Sequence, residues 1–356
     1  TLTTGSVTGE VVVGNVGASA LTSISVASTG AAGAIVGTIA RTDVLDSVSM
    51  SSAANLASNM DIGAITATGS SISTVSVDLA GAYAASSLGT IGAMNIGTVT
   101  INALGGTGTS FTTGAITATG VAATGGAIGD VTIVSADNVI IGNIGTANVA
   151  NTTGSIGNVS TTLSGGFGAS TVGTITSADA TNADIGNITH ITTGGLGTSL
   201  TTGLVSTQDG NVGNVTVTSA DQVVIGAITA GGTSTVGNVG VTLTGAGHAG
   251  ASTLAAVTAT GDSIGNITLS NAGSSTLTAS NFATTNTGNI AITANSAGGN
   301  GAVTVTTFAN VTGTVGTVGV TATGANANVA FGAGLSGAST IGNITVAQTA
   351  ANTVAL

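Results

Sequence analysis

The sequence repeats one phrase at a fixed distance. Residues 214–228 read NVTVTSADQVVIGAI, and residues 130–144, which lie 84 positions earlier, read DVTIVSADNVIIGNI, with nine of fifteen positions identical. A repeated phrase indicates one structural unit built many times, in which each unit buries its apolar side against its neighbours. We therefore predict one continuous repeat array over residues 1–356, as a mature chain or as part of a longer protein, rather than two or three separate domains.

A shorter period lies inside the longer one. Strand-like phrases recur at intervals of about 42 residues, which predicts about eight repeats of three short strands each, paired into a super-repeat of about 84 residues. Each repeat forms either one coil of about 42 residues or two coils of about 21, and the single coil is favoured. The phrases begin near Val7, Val48, Ile91, Val131, Thr174, Val215, Val257, Val303 and Ile344.

The local pattern is that of β-strands joined by glycine corners. Val215 and Val217 alternate with Thr216 and Thr218, which places aliphatic side chains on one face and hydroxyls on the other. The recurring I-G-x-I phrase fits a corner, because glycine permits a close approach that a Cβ would forbid and the following Asn or Thr can stack on its equivalents. With no helical period, the fold class predicted is all-β, a parallel β-solenoid (β-helix).

The amino-acid composition argues against several classes of partner. The chain has one basic residue, Arg41, against twelve acidic residues, and its formal net charge is -11. It cannot neutralise phosphates, so no nucleic acid is expected as a partner. No run approaches eighteen apolar residues, so no membrane insertion by a helix is expected. The absence of Cys is compatible with secretion.

Four aspartates recur close to the short period. Asp137, Asp179 and Asp221 are spaced by 42 positions in the phrase S-A-D, and Asp262 falls near the next interval. A column of carboxylates repels itself unless it is solvated, hydrogen-bonded or bridged by a cation such as Ca²⁺. Asp is also an ordinary turn residue. We therefore predict no required cofactor and no assigned metal site, with these four residues as calcium candidates.

Threonines recur in pairs at the same period. On a one-coil repeat they would form a flat ladder of hydroxyls and methyls, the kind of surface found in ice-binding solenoids, although strand propensity also favours outward Thr without any ligand. The surface-ladder candidates are Thr174, Thr176, Thr216, Thr218, Thr258, Thr260, Thr304 and Thr306.

No constellation of catalytic residues is present in the sequence. His190 and His248 are 58 positions apart and share no metal-ligand spacing. Arg41 beside Asp43 and Asp46 fits a surface ion pair. No nucleophile elbow stands in a strand-to-helix setting. We therefore predict no catalytic residue, no cofactor-binding residue and no enzymatic activity.

Phrases such as VTVTSADQVVIGAIT and TLTGAGHAGAST run through the whole chain. In this style the sequence resembles the Thr, Ala and Gly-rich repeat regions of bacterial surface-layer proteins and large secreted adhesins. The resemblance implies an extracellular or cell-surface structural protein that self-associates into a surface layer, sheath or fibre. The implied partners are copies of itself and cell-surface polysaccharide. The alternative is an adhesin stalk or an ice-binding solenoid that uses the Thr-x-Thr face.

Overall fold

The computed structural model describes most of the chain. The residues outside the description are 1, 5–10, 18–21, 30–32, 43–44, 53–58, 82, 84, 106–108, 121–125, 148–153, 167, 179–180, 182, 195–196, 246–249, 274, 297–300, 309–310, 325, 334, 336, 350–351 and 356.

The chain forms two compact units, unit 1 over Thr1–Ala183 and unit 2 over Asp184–Leu356. In the described residues every regular element is a β-strand, and none forms a helix long and apolar enough to cross a membrane.

The strands of unit 1 are β1 (Leu2–Thr4), β2 (Val11–Val13), β3 (Ser23–Ser28), β4 (Ala34–Val36), β5 (Ile39–Arg41), β6 (Leu45–Ser52), β7 (Met60–Ile62), β8 (Ile65–Ala67), β9 (Ile72–Ala80), β10 (Ser86–Leu88), β11 (Ile91–Ala93), β12 (Ile96–Leu104), β13 (Ser110–Thr113), β14 (Ile116–Ala118), β15 (Val131–Ser135), β16 (Asn138–Ile141), β17 (Ile144–Thr146), β18 (Val159–Ser164), β19 (Ala169–Val172) and β20 (Ile175–Ser177).

The strands of unit 2 are β21 (Ile188–Thr193), β22 (Ser199–Thr202), β23 (Val205–Thr207), β24 (Val215–Ser219), β25 (Gln222–Ile225), β26 (Ile228–Ala230), β27 (Val239–Leu243), β28 (Ser252–Leu254), β29 (Val257–Ala259), β30 (Ser263–Ile264), β31 (Ile267–Asn271), β32 (Thr276–Ala283), β33 (Asn286–Thr287), β34 (Ile290–Ser296), β35 (Ala302–Thr307), β36 (Thr314–Val315), β37 (Val318–Gly324), β38 (Asn328–Ala333), β39 (Thr340–Ile341), β40 (Ile344–Gln348) and β41 (Thr353–Ala355).

Each unit is a parallel β-solenoid, because corresponding strands of successive coils pair in parallel and in register. In unit 1 the first strands of the coils form sheet A, from β1 through β3, β6, β9, β12 and β15 to β18. The second and third strands form sheets B and C in the same way, as β13 with β16 and β14 with β17 illustrate. Unit 2 repeats this arrangement, with sheet A running from β21 to β40. The predicted all-β parallel solenoid is confirmed.

The coil length differs from both predicted values. The backbone N–H of Asn158 donates to the side chain of Asp130, its equivalent in the preceding coil, which lies 28 positions earlier. At the same corner of other coils the separation falls to 23 between Asn266 and Asn289. Neither predicted coil length is therefore correct, and the longer repeat of the sequence spans three coils.

The longest separation lies in unit 1. The backbone N–H of Ala127 donates to Oδ1 of Asn95, and these two residues are 32 positions apart. The strands that follow them, β12 and β15, are still paired in register. Coils of different lengths are therefore stacked without a break in sheet A.

The shorter apparent period of the sequence has a structural cause. The aligned phrases that begin at Val131 and Val215 lie on first strands, whereas the phrases beginning at Ile91 and Val257 lie on third strands. Similar glycine corners occur before first strands, as at Gly237, and before third strands, as at Gly226. When the sequence is aligned on these corners, successive matches alternate between first-strand and third-strand corners. Each step then covers one and a half coils, which is half of the 84-residue repeat.

The core is made by the inward-facing side chains of the strands. Along β15, Val131, Ile133 and Ser135 are buried while the residues between them are half-buried. Val159, which is stacked on Val131, is also fully buried. Each such aliphatic side chain contributes about 1.5–3 kcal/mol of hydrophobic stabilisation. Stacking in register therefore produces continuous aliphatic layers in each unit.

Glycine at the corners allows neighbouring coils to approach closely. A Cβ on Gly213 would lie 2.8 Å from the backbone carbon of Gly186 in the preceding coil, and a Cβ on Gly142 would lie 2.5 Å from that of Gly114. Such distances require the backbone to move, so the predicted role of glycine in these corners is confirmed.

The residue after the glycine links coils through its side chain. In unit 2 the backbone N–H of Asn214 donates to Oδ1 of Asn187 at 2.9 Å, and the N–H of Asn238 donates to Oδ1 of Asn214 at 2.8 Å. Asn266, Asn289 and Thr317 continue this ladder in the same manner. The ladder supplies backbone donors at the corner with acceptors, which confirms the predicted stacking of these asparagines.

The corner between the second and third strands has a constant length. Two residues separate these strands in every coil where both are described as separate strands, for example Gly142 and Asn143 between β16 and β17, or Gly226 and Ala227 between β25 and β26. The variation in coil length therefore lies in the other connections.

Candidate functional site

The outward face of sheet A in unit 2 is a regular surface of hydroxyl groups. Val215 and Val217 of β24 face inward and are buried, so Thr216 and Thr218 face outward. The alignment of β24 with the following strands stacks Thr218 on further hydroxyl residues in four coils. We call this set the hydroxyl column of unit 2, and it consists of Thr218, Thr242, Ser270, Thr293 and Thr321.

The spacing in this column follows from sheet geometry. Successive members lie about 4.8 Å apart, and outward residues two positions apart on one strand lie about 6.6 Å apart. Thr216 and Thr268 belong to a second, interrupted column, in which Gly240 and Ala291 also occur. All five members of the hydroxyl column are half-buried, and none carries a charge.

Unit 1 has a comparable surface on its own sheet A. Its hydroxyl residues are stacked over six coils and consist of Ser25, Ser49, Ser76, Thr100, Thr132 and Ser160. The neighbouring outward column contains Asp78 and Asn102. The face of unit 1 is therefore less uniform than that of unit 2.

The eight predicted ladder threonines do not stack on one another. In unit 2, Thr216 and Thr218 lie on sheet A, Thr258 lies on the third strand β29 with Thr260 just after it, and Thr304 and Thr306 lie on β35 of sheet B. In unit 1, Thr176 lies on the third strand β20, and Thr174 lies in the corner before it. All eight face outward. Their spacing of about 42 residues corresponds to one and a half coils, so successive pairs fall on different sheets.

Asp221 is buried at the corner between the first and second strands of its coil. Its Oδ2 accepts a hydrogen bond from the backbone N–H of Gly194 at 2.8 Å, and its Oδ1 accepts one from the hydroxyl of Thr198. Its own N–H donates to Oγ of Ser219 at 2.9 Å. Donors from the preceding coil therefore stabilise a carboxylate that is 0% exposed.

Asp137 has the same position in unit 1. Its Oδ2 accepts hydrogen bonds from the backbone N–H of Gly105 at 2.9 Å and from the hydroxyl of Tyr83. Its Oδ1 accepts one from the hydroxyl of Thr109. Burial, followed by the hydrogen bond to Asp137, raises the pKa of Tyr83 well above its usual value, so the phenol remains a donor. Asp137 and Asp221 thus join successive coils through hydrogen bonds.

The calcium candidates do not share one corner of a coil. Asp262 is exposed and follows the third strand β29, whereas Asp137 and Asp221 follow first strands and are buried. Asp179 lies outside the described residues. In the part of the chain that the structure describes, no three His, Cys, Asp or Glu side chains form a group that could hold a metal ion. Calcium binding stays a prediction.

His190 is an inward residue of β21, next to Val217 of the following coil. It is 1% exposed, and its Nδ1 has no hydrogen-bond partner among the described residues. Burial lowers the pKa of His190 to about 4, because the charged imidazolium would lose its hydration. The ring is therefore neutral at pH 7. His248 lies outside the described residues.

Arg41 is also an inward residue, at the end of β5 and in register with Ala67. It is 4% exposed, and its Nε and Nη1 make no hydrogen bond in the described part of the chain. The predicted surface position of Arg41 is therefore wrong, because strand alternation turns it inward. Asp46 is exposed on β6, and Asp43 lies outside the described residues.

A groove of about 230 Å³ lies on the surface of unit 2. Its lining has no titratable side chain, which gives it no group for acid-base or nucleophilic chemistry. The lining residues are Thr258, Ala259, Thr260, Ala283, Thr284 and Thr285.

No family model matches the sequence, and neither a curated protein nor a solved structure matches the chain. The comparisons therefore contribute no argument for a function.

Two features of these sites were missed by sequence reasoning. The phrase S-A-D places Asp137 and Asp221 at equivalent positions, but their burial and their hydrogen bonds to the preceding coil were not predicted. The contact between Tyr83 and Asp137 joins residues 54 positions apart, and no local pattern indicates it.

Proposed function

We propose that the protein is a non-enzymatic, extracellular structural protein that self-associates into a surface layer, sheath or fibre. The observation that carries this proposal is the hydroxyl column on the outward face of sheet A in unit 2, in which five small, uncharged Ser and Thr residues are stacked in register. Such a surface lets a neighbouring molecule approach without charge repulsion and without desolvating an ion.

The rest of the chemistry agrees with a mechanical role. Backbone ladders and buried aliphatic layers connect the coils within each unit, and the buried Asp137 and Asp221 have hydrogen-bond partners instead of an open cleft. Each of these features stiffens a scaffold. The resemblance to surface-layer and adhesin repeats supports an extracellular location and cell-surface partners.

Electron microscopy of the purified chain over a range of concentrations tests the proposal. We expect ordered layers or fibres. Parallel samples with calcium and with a chelator show whether the carboxylates contribute to assembly. Particles that stay strictly monomeric at every concentration, with and without calcium, would overturn the proposal.

The hydroxyl column of unit 2 favours ice binding as a second function. Hydroxyls and methyls that recur about every 4.8 Å along this column can order water on a flat surface. Thermal hysteresis of the wild type is the measurement, and Thr242→Tyr should abolish it by placing a bulky ring in the middle of the column. Thr258→Tyr, on the outward side of the third strand, is the matched control and should leave it unchanged. No hysteresis in the wild type, or equal hysteresis in Thr242→Tyr, removes this function.

A further inference from the structure

Three members of the asparagine ladder in unit 2 begin a motif that accepts sugar. Asn187, Asn214 and Asn266 start the sequences NIT, NVT and NIT, and all three side chains are exposed. Asn in the sequence N-x-S/T is the acceptor of N-linked oligosaccharides in secreted proteins. The fold determines which of these three residues is suited to modification.

Strand alternation turns both recognised groups of the motif at Asn266 outward. Asn266 and Thr268 are exposed, whereas Ile267 between them is 0% exposed. The amide and the hydroxyl therefore lie on the same outer surface, about 6.6 Å apart along the chain. An enzyme that recognises both groups can reach them in the folded protein without disturbing the core.

The hydrogen bonds of the ladder leave the reacting nitrogen of Asn266 available. Its backbone N–H donates to Oδ1 of Asn238, and its own Oδ1 accepts from the N–H of Asn289, both at 2.8 Å. In the part of the chain that the structure describes, Nδ2 of Asn266 makes no hydrogen bond. A glycosidic bond at Nδ2 leaves Oδ1 as a carbonyl acceptor, so a sugar can be attached while the ladder is kept.

The spacing of the coils favours Asn266 over the other two motifs. Asn187 and Asn214 are consecutive members of the ladder, about 4.8 Å apart, and a sugar ring is as wide as this gap. Sugars on both would therefore collide. The neighbours of Asn266 are Asn238 and Asn289, which are followed by Gly and Ala at the position where the motif needs a hydroxyl. Asn266 thus has unmodified coils on both sides.

We propose that Asn266 carries an N-linked oligosaccharide, transferred from a donor whose sugar is bonded through C1 to a lipid-linked phosphate. The bond between Nδ2 and C1 forms, and the bond between C1 and the phosphate oxygen breaks with its electron pair leaving on the phosphate. Nδ2 gives up one proton to a base of the transferring enzyme. The inference rests on the proposed extracellular location and names a modification of that surface.

Mass spectrometry of the full chain, isolated from the cells that produce it, tests the site. The chain has no Lys and one Arg, so elastase replaces trypsin for the digestion. We expect a glycan on Asn266 and none on Asn238 or Asn289, although all three are exposed members of the same ladder.

Two variants produced in the same cells separate the motif from the position. Thr268→Ala removes the hydroxyl of the motif and keeps the Asn266 amide and its hydrogen bonds, so the glycan should be lost while the chain stays folded. Adding Ala291→Thr to that variant creates the sequence NIT at Asn289. The glycan should then appear on Asn289, one coil further along the ladder.

Three outcomes overturn the inference. They are a wild type with no glycan on Asn266, a Thr268→Ala variant that keeps the glycan, and a wild type in which Asn238 or Asn289 is modified as fully as Asn266. Electron microscopy of the wild-type sample separates this inference from the proposed function. Layers or fibres of an unmodified chain refute the glycan and leave self-association standing. A chain with a glycan on Asn266 that stays monomeric supports the glycan and refutes self-association.

Discussion

Replacing His190 with valine should remove an acid-sensitive part of the stability of unit 2. His190 is buried with Nδ1 unpaired, and Val217 occupies the aligned position in the next coil. Valine at position 190 therefore continues an existing aliphatic column. It also removes a polar atom whose burial without a hydrogen bond costs about 1–3 kcal/mol. At pH 7.5 the variant should be at least as stable as the wild type.

The pH dependence follows from the lowered pKa of His190. The folded value is about 4 and the ordinary value is 6.5, so between these two pH values the unfolded chain binds more protons than the folded chain. The free energy of unfolding therefore rises with pH in this window. The stabilisation is present above pH 6.5 and is lost as pH falls towards 4. The full loss corresponds to about 3 kcal/mol.

Denaturant unfolding at several pH values between 7.5 and 4.5 measures this difference. The carboxylates are common to both chains, so their contribution cancels when the wild type is compared with His190→Val. NMR titration of the imidazole CH resonances reports the pKa directly. Equal losses of stability in the wild type and His190→Val, or a His190 ring that titrates near pH 6.5, would refute the reasoning.

Two further predictions concern the contacts between coils. Gly213→Ala should lower the free energy of unfolding by at least about 2 kcal/mol, because its Cβ would meet the backbone of the preceding coil. Gly240→Ala has open space around its Cβ and should change the free energy of unfolding by less than about 1 kcal/mol. Thermal unfolding of both variants measures this difference, and equal melting temperatures would contradict it. Asp221→Ala should cost about 2–5 kcal/mol by leaving buried donors without an acceptor, while the exposed Asp262→Ala should be nearly neutral. Amide exchange at Gly194 gives a local readout of the same contact, and unchanged protection there would argue against it.

The fold class was predictable because its signals are local. The alternation of Val215 and Thr216 shows a strand with one buried face, and the glycine at the corner shows where two coils come close. Both features depend on neighbouring residues in the sequence.

The coil length was not predictable from the same signals. The corner phrases at residues 225–228 and 236–239 look alike, although one precedes a third strand and the other precedes a first strand. Which phrase stacks on which is decided by backbone pairing between coils. The ladder threonines depended on that register and therefore lie on different sheets, and Asp262 lies at a different corner from Asp137 and Asp221.

The buried polar residues show a second limit of local reasoning. Charge alone predicts a surface position for Arg41, but alternation along β5 places it beside Ala67 in the interior. His190 is inward for the same reason. The partners of Asp137 come from residues 28, 32 and 54 positions away, which no short motif connects.

The constant two-residue corner between the second and third strands divides the chain into places that tolerate insertion and places that do not. One residue added between Ile225 and Ile228 would exchange the inward and outward side chains of the third strand that follows. The connections that already differ in length from coil to coil carry no such constraint. A foreign peptide grafted there would be displayed once per modified coil, at intervals of about 4.8 Å. The solenoid could therefore serve as a scaffold that holds ligands at a fixed spacing.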